Sequence, residues 1–513
     1  MAENIEERSK MYKNVGKAEQ ETSRRRRTEQ TIELRRQKRG DVLNKRRNID
    51  PEADYESEST DVDKAVHPKF SCSLSEAREL LLNNPSPETL RQVFEHIRRL
   101  LSRGSNPPID EVVNEGLVVA LVQALGVNDE KVQFEAAWGL TNVVSGTTKH
   151  TEAAVNAGAT QALVNLIRAS NSQKLVEQCF WAVANIMGDN AMFRDHAINC
   201  GVLEVLINYA DNLEQLNLTL VKTIAWVFSN VCRHKNPQIS FEKIEMIIPS
   251  LVKLLKFKDQ ETRQDTCWSV SYLTDGDDSI LPLLLKTDIL SSVEAMLMSN
   301  VDKLAAPALR VFGNFVSGDD NVTQIIIDTG IIKNALPGLL KRSGTVLKEA
   351  CWLLSNVLAG TVDQIQSVID AGLIPELVNL LDRSDFKVKG ECAWALANLC
   401  HAGTQPQIYQ LAQTPILTVI GNHLNVRHVE FLLNLLNIVA SVLNAVANLK
   451  PEALESYVNA FEEAGGVSYI EELQNHENPK IYDSCYEIIS RYYSEDQDEN
   501  NPNISQEAPV FNF

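Results

Sequence analysis

Tryptophan recurs along this chain with a spacing that few folds can satisfy. The six tryptophans lie at positions 138, 181, 226, 268, 352 and 394, at steps of 43, 45, 42, 84 and 42 residues, and Arg310 falls midway through the double step. An asparagine stands four residues after most of these positions: Asn142, Asn185, Asn230, Asn314, Asn356 and Asn398, with Tyr272 replacing it once. We call these paired positions the ladder. A feature that returns every forty-odd residues indicates an array of repeats.

A second pattern runs with the same period in a different phase. A glycine precedes an apolar stretch of helical spacing in "NEGLVVALVQAL", "NAGATQALVNLI", "NCGVLEVLINYA", "DTGIIKNALPGLL" and "DAGLIPELVNLL". Weaker units fall near residues 75–115, 405–447 and 452–493, which makes about ten in all. Each unit is predicted to contain a short helix, a glycine turn and two longer helices, a period typical of HEAT and armadillo arrays.

The composition agrees with helices packed on helices. Hydrophobic residues make up 44% of the chain but aromatic residues only 6%. In "FEAAWGLTNVV", Ala137, Leu140 and Val144 fall on one helical stripe that can face the core. We find no secretory signal and no apolar run of about 20 residues, as a membrane helix requires. The nine scattered cysteines are expected to be reduced and mostly buried.

The net charge of −19 is divided unevenly. Residues 8–49 carry fifteen Lys/Arg and five Asp/Glu, a balance of +10, so the rest of the chain carries −29. The sequence therefore predicts four regions: a basic arm over 1–49, an acidic flexible linker over 50–70, the repeat array over 71–493 and an acidic disordered tail over 494–513. An acidic body suits a basic ligand and argues against direct nucleic-acid binding.

The ladder chemistry suggests an extended basic peptide as that ligand. An asparagine side chain can donate to and accept from a peptide main chain. Tryptophan faces can hold the stem of Lys or Arg, with a cation–π attraction of about 0.5–2 kcal/mol. Acidic residues near the ladder could then neutralise the ligand; they are Glu135, Glu177, Asp189, Asp265, Asp275, Asp320, Glu349 and Glu391.

Other interpretations remain open at this point. The tryptophans could be core packing, with each asparagine bracing a helix. The array could also be an armadillo scaffold for signalling or cell adhesion, although such a scaffold would bind acidic peptides in a basic groove. No sequence motif for catalysis, nucleotide binding or metal binding is found, so the chain is not expected to be an enzyme or to need a cofactor.

The ladder with its interruptions, "SYLTDG" after Trp268, the basic arm and the ending "APVFNF" resemble the importin-α (karyopherin-α) family over essentially the full chain. This resemblance implies an all-α, right-handed superhelix of about ten armadillo repeats. Its groove would bind nuclear localisation signals at two sites, and the protein would be a nuclear import adaptor.

The resemblance also implies the residues of the two sites. The major site comprises Trp138, Asn142, Gly146, Thr151, Gln178, Trp181, Asn185, Asp189, Trp226, Asn230 and Asp265. The minor site comprises Val316, Asp320, Thr323, Glu349, Trp352, Asn356, Glu391, Trp394 and Asn398. His234 stands where the family often carries asparagine, which leaves the outermost major-site contact open.

The arm and the tail have implied partners of their own. Importin-β is expected to bind the arm through Arg24, Arg25, Arg26, Arg27, Arg35, Arg36, Lys38 and Arg39. Without importin-β, Lys45, Arg46 and Arg47 would occupy the groove as an autoinhibitory mimic of cargo. An export receptor of the CAS type would dock near Tyr486 and Glu487, and nucleoporins are further expected partners. The protein would shuttle between cytoplasm and nucleus through nuclear pores, without membrane insertion.

Overall fold

The computed structural model describes residues 45–50, 70–276 and 278–493. Regular structure in these segments is helical, and they contain no β-strand. The chain divides into two compact units, Met1–Gly318 and Asp319–Phe513. The basic residues 1–44, the stretch 51–69 and the tail 494–513, with the predictions made for them, lie outside the described residues.

The first unit contains six groups of helices, two of them pairs and four of them triplets. The helices are α1 (Leu74–Leu82), α2 (Pro87–Leu101), α3 (Ile109–Asn114), α4 (Leu117–Ala124), α5 (Glu130–Val144), α6 (Thr148–Asn156), α7 (Ala159–Ala169), α8 (Gln173–Asp189), α9 (Ala191–Asn199), α10 (Val202–Ala210), α11 (Leu218–Arg233), α12 (Phe241–Leu255), α13 (Gln260–Thr274), α14 (Leu281–Leu285), α15 (Ile289–Leu297) and α16 (Asp302–Phe315).

The second unit contains four groups. Its helices are α17 (Asp320–Asp328), α18 (Ile331–Asn334), α19 (Leu336–Leu339), α20 (Gly344–Val357), α21 (Val362–Asp370), α22 (Ile374–Arg383), α23 (Phe386–Ala402), α24 (Gln405–Ala412), α25 (Ile416–Gly421), α26 (Val429–Leu449), α27 (Leu454–Glu463), α28 (Gly466–Leu473) and α29 (Pro479–Tyr492). Within each unit the described groups follow the repeat pattern predicted from the sequence.

The periodic glycines turn the chain between the first and second helices of a repeat. All five that open the apolar stretches have φ between +69° and +89°: Gly116, Gly158, Gly201, Gly330 and Gly372. Side chains other than glycine rarely adopt this left-handed conformation, because the Cβ atom meets the backbone. The glycine pattern in the sequence is therefore a backbone requirement of the repeat.

One predicted helix is broken. The stretch "DTGIIKNALPGLL" forms two four-residue helices, α18 and α19, with Ala335 between them at φ −103° and ψ −49°. Pro337 has no N–H to donate to the preceding turn, and in a continuous helix its ring would clash with the carbonyl of Lys333. The proline is in the sequence, and the expectation of one long helix there is wrong.

The helices that carry the ladder bury their apolar stripes in the core of the repeat array. Ala137, Leu140 and Val144 have no solvent exposure, so the predicted apolar stripe faces the core. Successive ladder helices pack directly on one another, as α5 does on α8 and α8 on α11 in the first unit. This stacking places the Trp and Asn of one repeat beside those of the next.

Helix α26 corrects the expectation that no apolar run of membrane length exists. Val429–Leu449 has 21 residues and a mean hydropathy of 1.8, which meets the length and composition of a membrane span. In the fold, 61% of its most apolar window is buried, and α26 packs against α23, α24 and α29. It is the last helix of its group. All nine cysteines are free thiols, and seven of them are buried.

Candidate peptide-binding site

The ladder asparagines hold adjacent repeats together. Asn185 Nδ2 donates to the main-chain carbonyl of Thr141 (3.0 Å), and Asn230 Nδ2 to that of Ala184 (2.9 Å). In the second unit Asn398 donates in the same way to Ser355 (2.6 Å). In each case the acceptor precedes the ladder position of the neighbouring repeat by one residue. The packing interpretation of the asparagines was therefore correct in part, and the bond fixes the orientation of the amide.

A pocket at the end of α8 holds the side chain of Lys45. Its Nζ donates to the carbonyl of Gly146 and to Thr151 Oγ1, both at 2.9 Å, and forms an ion pair with Asp189. The Asp189 side chain is 3% exposed. Burial alone would raise the pKa of Asp189, but the Lys45 ammonium and the Thr151 and Thr148 hydroxyls outweigh it and lower that pKa. The pocket therefore presents a carboxylate to a cation.

Two residues that sequence reasoning missed shape this pocket. Thr148 Oγ1 donates to the second oxygen of Asp189 at 2.9 Å. His150 accepts from the main-chain N–H of Thr147 through Nδ1 (3.1 Å) and contacts Asp110 through Nε2 (2.7 Å). A Cβ atom at Gly146 would come within 2.3 Å of His150 Nδ1. Position 146 needs glycine because any larger side chain would collide with the imidazole of His150, which caps the N-terminus of α6.

Two rungs of the ladder bind the main chain of the arm at alternate residues. The N–H and C=O of Arg46 pair with Asn185 Oδ1 (2.7 Å) and Nδ2 (2.9 Å), and Trp181 Nε1 also donates to that carbonyl (2.8 Å). Two residues later the pattern repeats. The N–H and C=O of Asn48 pair with Asn142 at 2.8 and 2.9 Å, and Trp138 Nε1 donates at 2.8 Å.

These contacts involve only backbone atoms of the arm. Residue i and residue i+2 of an extended chain point their peptide groups the same way, so the repeat spacing matches the peptide spacing. Both amide hydrogens of Asn185 are used, one within the repeat array and one on the arm. The clamp can accept any extended sequence, and selectivity must come from side chains.

The Arg46 side chain is held by a ring and an acid. Its Cζ lies 4.4 Å from the ring centroid of Trp226, and one of its nitrogens lies 3.2 Å from Asp265. Trp181 and Trp226 meet edge to face at 6.1 Å. Burial raises the pKa of Asp265, and Arg46 opposes that rise. The cation therefore helps to keep Asp265 ionised.

The next two side chains of the arm have different surroundings. Arg47 donates to the main-chain carbonyls of Leu101, Gly104 and Arg103. Asn48 Nδ2 donates to Gln178 Oε1 at 2.9 Å, and Gln178 is fixed in turn by its bond to Thr141 Oγ1 (2.7 Å). Gln178 therefore contacts the arm directly, and its place in the major site remains a prediction.

Three of the acids near the ladder have partners within the repeat array. Glu135 pairs with Arg98 at 2.6 Å, and Asp275 lies 3.6 Å from Lys235. Glu177 accepts from Thr219 Oγ1 at 2.7 Å, and burial raises its pKa. The charges of Glu135 and Asp275 are thus balanced by Arg98 and Lys235 of the repeat array, so these two acids are not available to neutralise a ligand as the sequence suggested.

After Trp226, the next two repeats lack a complete Trp and Asn pair. Tyr272 lies 6.3 Å from Trp268 between ring centroids, with Arg233 Cζ 5.8 Å from the Tyr272 ring. Arg310, in the next tryptophan position, is buried. His234, at the end of α11, contacts the Met187 carbonyl through Nε2 at 2.9 Å, so it braces the preceding repeat.

Most of the residues implied for the minor site lie on three helices of the second unit, of which α20 and α23 pack on each other. They lie on α17, α20 and α23: Asp320, Thr323, Glu349, Trp352, Asn356, Glu391, Trp394 and Asn398. Asp320 is exposed, and Trp394 and Asn398 are half-buried. Trp352, Asn356 and Glu349 are buried, at 1–3% exposure. Val316 belongs to the first unit, where it is buried at the end of α16.

Residues implied for other partners fall in two places. Tyr486 and Glu487 are exposed on α29, with Tyr486 stacked on Tyr482 at 6.2 Å. The importin-β-binding set from Arg24 to Arg39 lies outside the described residues. Those roles remain predictions.

Comparison with known families covers both ends of the chain. Residues 8–97 match the importin beta binding domain, residues 105–145, 147–188 and 361–401 match the Armadillo/beta-catenin-like repeat, and residues 455–507 match the atypical Arm repeat. A solved engineered protein, similar over 83% of this chain and all of its own, has a TM-score of 0.71 at 25% identity.

Curated relatives give the family. Importin subunit alpha-2 of Caenorhabditis elegans is 43% identical over 60% of this chain and 58% of its own length. The chain thus spans about three fifths of that relative, and 59% of importin subunit alpha-B of Dictyostelium discoideum at 37% identity. Importin subunit alpha-3 of Caenorhabditis elegans is 39% identical over 98% of this chain and 95% of its own length. The chain belongs to the importin-α family of armadillo-repeat proteins.

Proposed function

We propose that this chain is a nuclear import adaptor whose ladder groove binds the basic localisation signals of cargo proteins. The observation that carries this proposal is the way in which residues 45–50 bind to the ladder. A lysine enters a pocket ending in Asp189, an arginine lies against Trp226 and Asp265, and alternate peptide groups are bound by Asn185 and Asn142.

The geometry separates affinity from selection. The asparagine and tryptophan donors hold any extended main chain, whereas the carboxylates at the Lys45 and Arg46 positions accept only cations. An acidic side chain in the same pocket would place two carboxylates together in a poorly hydrated site, which costs several kcal/mol. The groove therefore selects Lys and Arg over Asp and Glu.

The arm connects cargo binding to importin-β. The match of residues 8–97 to the importin beta binding domain supports importin-β as the arm's partner. The same arm continues into residues 45–50, which occupy the cargo seat. Importin-β and the groove thus compete for one segment. Cargo and importin-β then favour each other's binding, because each relieves the competition.

The tryptophans and asparagines of the second unit provide the minor site in this proposal. They repeat the residue types of the first unit, with Glu349 and Glu391 as the nearby acids. A signal with two basic clusters would gain affinity by occupying both sets, through the effective concentration that the linker between the clusters supplies.

The remaining partners follow from the family. An export receptor of the CAS type would return the chain to the cytoplasm and dock near Tyr486 and Glu487, and nucleoporins would meet it during passage through the pore. The protein would accordingly be found in cytoplasm, in nucleus and at the nuclear envelope. Its activity is transport rather than catalysis.

The alternative is an armadillo scaffold for signalling or adhesion. A fluorescent lysine-rich peptide and an acidic peptide of equal length should be titrated against the full chain, with and without importin-β. Import predicts binding of the lysine-rich peptide alone, strengthened by importin-β. Binding of the acidic peptide instead would favour the scaffold and reject the import function.

A further inference from the structure

Arg98 is a buried cation at the edge of an acidic groove. It lies on α2, in a repeat that has no ladder tryptophan, and is 7% exposed. Its Nε binds Glu135 at 2.6 Å, and its Cζ lies 4.4 Å from the ring centroid of Trp138. Both partners belong to α5 of the next repeat. The guanidinium is therefore held in place by the protein itself.

The remaining side of this guanidinium faces the arm. Arg98 Nη1 binds Asp50 Oδ2 at 2.5 Å, and the Asp50 N–H donates to the Ser102 carbonyl at 3.1 Å. The side chains of Arg98 and Asp50 are 9% and 20% exposed. An ion pair with so little exposure is screened less than a surface pair, and its charge-assisted hydrogen bond is correspondingly stronger.

The position of this contact is fixed by the main chain. Lys45 fills the pocket at Asp189, and the Asn48 carbonyl is bound by Trp138 and Asn142. The chain runs on for two residues to Asp50. Any peptide that seats a lysine in the pocket and follows the same clamps brings its fifth following residue to Arg98.

We infer that Arg98, oriented by Glu135 and Trp138, is a subsite for a carboxylate five residues after the pocket lysine. The groove reads an acidic residue at this position in addition to its basic cluster. This inference rests on the proposed function, since it requires cargo peptides to bind as residues 45–50 do. Cargo signals with Asp or Glu at the fifth position should then bind more tightly than otherwise identical signals.

The test uses the full chain with Lys45→Ala and Arg46→Ala, which weaken the arm's hold on the groove. Labelled peptides of residues 43–52, one parent and one with Asp50→Asn, are titrated by fluorescence anisotropy. The Asn peptide should bind about 5-fold more weakly, as expected for loss of one partly buried charge-assisted bond. Equal affinity of the two peptides would overturn the inference.

A double-mutant cycle identifies the partner of the carboxylate. When the chain also carries Arg98→Gln, the two peptides should bind within about 2-fold of each other. Because Arg98→Gln leaves the half-buried Glu135 without its cation, the same comparison is made with Arg98→Gln and Glu135→Gln together. A persistent preference for the Asp peptide in both variants would contradict the assignment to Arg98.

A third peptide separates this inference from the proposed function. A version with Lys45→Ala must bind far more weakly than the parent if the groove selects basic signals. If all three peptides bind alike, the proposed function itself fails. If only the Lys45→Ala peptide is weak, the basic groove stands and the carboxylate subsite is rejected.

Discussion

Two rungs of the ladder in the first unit differ in one residue and in what they can hold. At Trp181, the residue four places on is Asn185, which binds both peptide groups of Arg46. At Trp268 the corresponding residue is Tyr272, whose ring lies beside Trp268 and Arg233. A phenol offers one hydroxyl and cannot reproduce the paired donor and acceptor of an amide.

The contrast shows that the ladder position performs two separable tasks. The bond to the preceding repeat continues past the interruption, because Asn314 donates to the Ser271 carbonyl at 3.0 Å. Asn314 follows Arg310 rather than tryptophan, so it keeps the structural bond beside a different neighbour. Repeat packing therefore continues through the interruption, whereas the peptide clamp described at Asn185 depends on a complete Trp and Asn pair.

The largest effect is expected at the pocket. Asp189→Lys in the groove-opened chain, which carries Lys45→Ala and Arg46→Ala, should weaken a lysine-rich peptide by about 100-fold or more, because it places two cations in a partly buried site. The control is Glu245→Lys, the same charge change on the exposed face of α12, which should alter affinity less than about 2-fold. Retained tight binding in the Asp189 variant would show that this pocket does not select lysine.

The next effect distinguishes the two rungs directly. In the same chain, Asn185→Ala should weaken the peptide by about 10-fold or more, because two main-chain hydrogen bonds are lost. Tyr272→Ala should change the affinity less than about 2-fold, since the described ring contacts of Tyr272 are with Trp268 and Arg233. Anisotropy titration measures both. Similar losses in the two variants would remove the distinction between the rungs.

A third substitution tests the role of the ladder asparagine in holding adjacent repeats together. Asn314→Ala removes the bonds to the Ser271 carbonyl and Thr274 Oγ1 and leaves buried acceptors without that donor. The variant should melt at a lower temperature, with about 1–3 kcal/mol less stability, while peptide affinity at the first rungs stays unchanged. An affinity loss as large as that of Asn185→Ala would mean that bracing and clamping cannot be separated.

The smallest effect concerns pH. Burial raises the pKa of Asp265 and a bound cation opposes that rise, so the peptide complex holds fewer protons than the empty groove. Affinity should therefore fall, by about 2- to 5-fold, as pH drops from 7 toward the raised pKa of the empty state. Asp265→Asn should remove this part of the dependence. A pH profile that is the same in both proteins would rule out Asp265 as its source.

The sequence predicted what depends on local conformation and repetition. The period of Trp and Asn located the ladder helices, and the glycine pattern located turns that need positive φ. Pro337 and the apolar run of α26 are also visible in the sequence. The repeat pattern nevertheless led us to expect helices of uniform length, so neither the break nor the long helix was predicted.

The rest of the site depends on contacts between distant parts of the chain. The second bond of Asn185 reaches a carbonyl 44 residues away, and Arg98 reaches Trp138 from a degenerate repeat that lacks the ladder motif. His150 closes a helix cap beneath Gly146 and gives no motif of its own. Such pairings follow from how repeats stack, so spacing along one helix could not reveal them.

In the proposed function, residues 45–50 compete with cargo for the first rungs of the ladder. The direct test of this competition is the affinity of a lysine-rich signal peptide for the full chain and for the chain with Lys45→Ala and Arg46→Ala, without importin-β. A tethered segment acts at an effective concentration of about 1 mM, so the variant should bind about 10-fold or more tightly. Equal affinities would contradict the competition on which this account depends.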